Sequence, residues 1–65
     1  MRVGTKIRLH PDFSFNGWSD SARAVMIGDM VVRSYDATMP YPIEASNGTV
    51  LGYSVYLKES EVVEV

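Results

Sequence analysis

A chain of 65 residues with no cysteine and a single histidine, His10, has to fold without a disulfide and without a zinc site built from Cys and His ligands. A domain this short buries only about 60% of the surface that its unfolded chain exposes. Its core rarely supplies more than roughly 3 to 5 kcal/mol of net stability. Stability therefore has to come from packing, from a well-closed sheet, or from a second copy in a homo-oligomer. Two cores do not fit in such a length, so residues 1–65 are expected to form one domain. Hydrophobic residues make up 46% of the chain and charged ones 22%, which places it among folding rather than disordered sequences.

Apolar residues recur with a period of two in the opening segment. Val3, Thr5, Ile7 and Leu9 alternate with Gly4, Lys6, Arg8 and His10, the pattern of a strand buried on one face. Pro11 has no backbone N–H and ends that strand, so a long loop carrying Phe13, Phe15 and Trp18 should run to about Ser21. Ser19 is a fitting N-cap for a short helix over Asp20 to Met26, while a strand from Arg23 to Ile27 suits the residues nearly as well. After Gly28-Asp29, the run Met30-Val31-Val32-Arg33-Ser34-Tyr35 predicts a second strand.

Asp36 to Pro40 then reads as a turn. Pro42 to Ala45, Asn47-Gly48 and Thr49 to Tyr53 together predict a hairpin, because both central residues of a type I′ turn need positive φ. Lys58 to Glu61 suggests one helical turn, and Val62 to Val65 a last strand. The sum is about five short strands, an all-β small barrel or sandwich.

In four places these residues resemble the SH3-like barrels of small bacterial and phage proteins. They are Val3–Leu9 as opening strand, Met30-Val31-Val32 after a glycine, Tyr41-Pro42-Ile43 leading to Gly48, and Ser60–Val63 as a closing turn plus strand. The resemblance implies a five-stranded, partly open barrel with one short helical turn before the last strand. It also implies a phage-encoded accessory protein acting on a host component. The proline-groove residues of eukaryotic SH3 domains do not carry over: Trp18 falls in the first long loop, and nothing near Tyr53 or Tyr56 supplies a Pro-x-x-Tyr element.

No apolar run approaches the roughly 20 residues that span a bilayer, and no apolar segment of a signal peptide follows Met1–Lys6. A cytoplasmic protein without a membrane partner is expected. The net charge of −2 weighs against avid, sequence-independent nucleic-acid binding. Arg2, Lys6 and Arg8 open the chain and Glu59, Glu61 and Glu64 close it, so pairing of the first and last strands would set opposite charges across from each other.

Little points to catalysis. His10, Asp12 and Ser14 tempt a triad reading, but an extended chain sets them in a row along one face rather than in a relay. Asp12, Asp20, Asp29 and Asp36 lack the spacing of a calcium loop and suit turns and caps better. No enzyme activity, cofactor or metal is expected.

The aromatic residues are the better lead, because Tyr and Trp bury large area at low entropic cost and are enriched at binding hot spots. Phe13 or Phe15, with Tyr53, are expected in the core. Phe15, Trp18, Tyr35 and Tyr41 are the candidate binding residues, Tyr41 being held extended by Pro40 and Pro42. A protein partner is the first expectation. The alternative is a nucleic-acid-binding small barrel in which Lys6, Arg8, Arg23 and Arg33, with His10, track phosphates while aromatics stack on bases.

Overall fold

The computed structural model describes all residues, 1–65. Five antiparallel strands form one sheet: β1 (Lys6–Leu9), β2 (Met30–Tyr35), β3 (Ile43–Ser46), β4 (Val55–Leu57) and β5 (Val62–Glu64), in the order β4-β3-β2-β1-β5. The helix α1 (Asp20–Met26) interrupts the β1–β2 connection, and a 3-10 turn (Glu59–Glu61) precedes β5. The order is compatible with an SH3-like fold. The sheet is not closed into a barrel, since no strand pairing joins β4 to β5. Both edges are only three residues long, which limits the open backbone they present. No helix is long and apolar enough to cross a membrane.

The alternation in β1 has the expected phase. Ile7 is fully buried between exposed Lys6 and Arg8, and it packs with Met30, Val32, Ile43, Ala45, Leu57 and other apolar side chains from every strand and α1. The strand starts later than the pattern suggested, because Gly4 turns the chain at φ +91° while its N–H donates to the Val32 carbonyl. Val3 is consequently 68% exposed.

Residues 20–26 resolve to helix rather than strand. The Ser19 hydroxyl accepts the Ala22 N–H at 3.2 Å, and Ala22, Val25 and Met26, spaced to share one face, are buried.

The expected hairpin is corrected. Ile43–Ser46 is a strand, but its partner is Val55–Leu57, not Thr49–Tyr53. Gly48 does take positive φ, +82°, whereas Asn47 does not, so the pair is not a type I′ turn. Asn47 serves α1 instead. Its side-chain amide donates to the carbonyls of Ala24 at 2.8 Å and Ile27 at 2.9 Å, and its backbone N–H donates to Val25 at 3.0 Å. One residue thus satisfies three acceptors at the open C-terminal end of the helix.

The first and last strands pair as expected, with Arg8 opposite Val63 and Leu9 opposite Val62. The charge complementarity does not follow. Arg8 pairs with Asp29 at 2.5 Å, the Glu61 carboxylate accepts the Lys58 N–H at 2.7 Å, and the Glu59 carboxylate accepts the Tyr35 hydroxyl. Nearer partners outcompete those across the strands.

Candidate functional site

The loop from Pro11 to Ser19 is folded by its own backbone. Phe13 N–H donates to the His10 carbonyl at 2.9 Å, and Trp18 N–H donates to Phe15 at 3.0 Å, with Gly17 at φ +84° closing the second turn. These turns gather the aromatics. Phe13 meets Phe15 edge-on with centroids 5.3 Å apart, and Trp18 lies 5.8 Å from Phe13. All three are half-buried against the core, and so is Tyr53. The Arg23 guanidinium of α1 sits 5.4 Å from the Phe15 centroid, a cation–π contact that ties loop to helix.

Between this loop, the end of β1 and the end of α1 lies a groove of about 280 Å³, lined by Arg8, Leu9, Phe15, Met26, Ile27 and Gly28. Its floor is apolar. Ile27, the residue just past the helix, is 68% exposed at the rim. Arg8, held by Asp29, supplies the polar rim. A second cavity of about 310 Å³ is lined by His10, Asp12, Phe13, Ser14, Ser60 and Glu61. The tempting trio shares this cavity without forming a relay. His10 Nδ1 accepts the Asp12 backbone N–H at 3.2 Å, the Asp12 carboxylate lies 3.7 Å from it, and the Ser14 hydroxyl accepts the Asn16 N–H at 3.3 Å.

The four expected binding residues therefore divide into two sets. Phe15 lines the apolar groove, and Trp18 braces it through Phe13. Tyr35 and Tyr41 belong to a different neighbourhood, near the 3-10 turn: Tyr35 donates to the Glu59 carboxylate, and the Lys58 ammonium sits 5.3 Å from the Tyr41 centroid. The hydrogen bond to Glu59, helped by partial desolvation and by that carboxylate's charge, raises the Tyr35 phenol above its ordinary pKa. The Thr38 hydroxyl and backbone N–H lower the Asp36 carboxyl below its ordinary value. Trp18 stands where a loop reading put it, but packed inward, while Tyr41 is 48% exposed.

Sequence reasoning missed Ile27 and the groove itself. A signal was present: Ala22, Val25 and Met26 already complete the buried face of α1, so a further isoleucine immediately before Gly28 has no place on it. The aspartates are scattered. Asp29 meets Arg8, Asp20 lies 4.0 Å from Arg23, and Asp36 caps Thr38. No family model, curated protein or solved structure matches this chain.

Proposed function

We propose that this protein is a small non-catalytic protein-binding module, of the kind a phage supplies as an accessory factor acting on a host component. It takes an apolar side chain of its partner into the groove between β1 and α1. The observation that carries this is the exposed Ile27 beside an apolar floor of Leu9, Phe15 and Met26, a hydrophobic surface that folding leaves unused. At about 280 Å³ the groove lies just below the roughly 300–1,000 Å³ range of small-molecule pockets and suits an anchoring side chain. Tyr35 and Tyr41 offer a second contact area. Nucleic acid ranks behind, because Arg8 is engaged by Asp29 and Arg23 by Phe15, which leaves Lys6 and Arg33 as the freer cations of that set.

Photo-cross-linking from position 27 in a source-cell extract tests the idea, with position 3 as control, because Ile27 and Val3 are equally exposed at 68%. A defined, nuclease-resistant protein adduct from 27 but not from 3 is expected. With that partner purified, Ile27→Ser should weaken binding by about tenfold or more while leaving the melt within about 0.5 kcal/mol. Adducts that vanish with nuclease, or that form equally from both positions, would overturn it.

A further inference from the structure

The two edges of the sheet differ in what surrounds them. On β4, Val55 and Leu57 are buried and Tyr56 is 56% exposed. Side chains two apart share a face of a strand, so Ser54, Tyr56 and Lys58 form one outward row with steps of about 7 Å. Arg33 of β2, at the irregularity between Val32 and Ser34, reaches across to that row, where its guanidinium donates to Ser54 Oγ at 3.5 Å. Lys58 ends the row above the Tyr41 ring. The edge therefore reads cation, tyrosine, cation. The strand pairs only with β3, so the outer backbone groups of Val55–Leu57 have no partner within the chain, whereas the N–H and carbonyl of Lys58 are taken by Glu61.

We propose that this edge receives an extended acidic segment of a partner protein as a sixth strand. Two carboxylates four residues apart face Arg33 and Lys58, and an apolar side chain between them covers Tyr56. Strand addition draws affinity from main-chain hydrogen bonds and specificity from alternate side chains, and the edge offers both. The centre is apolar for a physical reason: Glu44, directly behind Tyr56 in the register, repels a carboxylate placed there. Its own carboxylate accepts the Ser34 hydroxyl at 2.8 Å.

A second copy of the chain fits worse. Two β4 edges meeting antiparallel would oppose Arg33 and Lys58 with cations, and β5 presents exposed Val63 and Val65 in its outward row while Glu61 already caps Lys58. Single-stranded nucleic acid would find Tyr56 with a carboxylate behind it, and it would leave the edge amides unused.

The test is an amide chemical-shift titration of the whole protein with a capped peptide, Thr-Glu-Thr-Val-Thr-Glu-Thr. Two controls accompany it: the same peptide with Lys for Glu, and the acidic peptide N-methylated at alternate amides. Shifts at residues 54–58 with the acidic peptide alone are expected, weakening at raised salt. Arg33→Glu with Lys58→Glu should weaken that peptide by roughly tenfold and favour the lysine peptide. Ile27→Ser should leave the titration unchanged, which separates this edge from the groove. Equal binding of all three peptides, shifts confined to the groove, tighter binding of an oligothymidylate to the same residues, or dilution-dependent shifts at β4 without peptide would each overturn the proposal. The N-methylated control needs no variant to fold.

Discussion

Asn47 holds the C-terminal end of α1, and replacing it separates that role from a turn role. In Asn47→Ala, the side-chain bonds to Ala24 and Ile27 are lost, together with the one that Asn47 Oδ1 accepts from Thr49 N–H at 2.9 Å. The backbone bond to Val25 survives. A net contribution of about 0.5 to 1.5 kcal/mol per hydrogen bond, with Thr49 N–H free to reach water, gives a cost of about 1 to 3 kcal/mol for the two helix bonds. In a domain of this size, 2 kcal/mol lowers Tm by roughly 8 to 16 °C.

Asn47→Asp is the sharper test. It keeps the shape and the acceptor for Thr49 but turns the donating nitrogen into a carboxylate oxygen facing two carbonyls. It also adds negative charge at a helix C-terminus, where the dipole disfavours it. The variant's carboxyl should therefore have a folded-state pKa above its ordinary value of about 3.9. Destabilisation is then full above the folded pKa and fades as pH falls toward the unfolded one, so the gap between Asn47→Asp and wild type narrows in acid while that of Asn47→Ala stays nearly constant. A type I′ turn, by contrast, accepts Asp or Gly at that position with little cost. Thermal melts with Asn47→Asp or Asn47→Gly within about 0.5 kcal/mol of wild type would refute the capping role.

Ile7→Ala should cost about 2 to 5 kcal/mol and Lys6→Ala under about 1, read from denaturant melts; the reverse order would mean that the faces of β1 are exchanged. Trp18→Ala should cost about 2 kcal/mol, roughly half of the full-burial penalty, because Trp18 is half-buried against Phe13 and the core; an unchanged melt would place it free in solvent. Tyr35 should ionise above the ordinary phenol value in an ultraviolet pH titration. Since its folded pKa is raised above the ordinary 10.0, the stability it contributes is complete below that value and is lost as pH rises through the folded pKa. Tyr35→Phe should remove that late step, and Glu59→Gln should bring it earlier.

Much of the sheet was legible because its signals are local. Ile7, Val32 and Val62 sit in runs whose alternation or β-branching survives in β1, shortened to Lys6–Leu9, and in β2 and β5, and Ser60–Val63 keeps its turn-then-strand form. Asn47-Gly48 misled because Asn47 uses its amide on residues twenty or more positions away, information that no window around residue 47 contains. Thr49–Tyr53 has the composition of a strand, yet Tyr53 N–H turns back to Val50 at 3.2 Å, Gly52 takes φ +75°, and Leu51 is left in solvent. The aromatic residue types of the candidate site could be read directly. The groove could not, because it exists only where the end of α1 meets the end of β1.

That junction would couple stability to the proposed recognition. A seven-residue helix is too short to persist alone in water, so α1 depends on its attachments. Asn47 fastens its C-terminal end, Ser19 caps its start, and the Phe15 ring beneath Arg23 braces its side. The groove wall formed by Met26, Ile27 and Gly28 is the last turn of that same helix and the residues just beyond it. Any side chain seated in the groove touches the terminus that Asn47 fastens, so docking of α1 and occupancy of the groove share one free energy. If a partner seats in the groove as proposed, loosening α1 by Asn47→Ala should weaken its binding although it never touches Asn47, and the bound partner should in turn protect the amides of residues 20–26 from exchange.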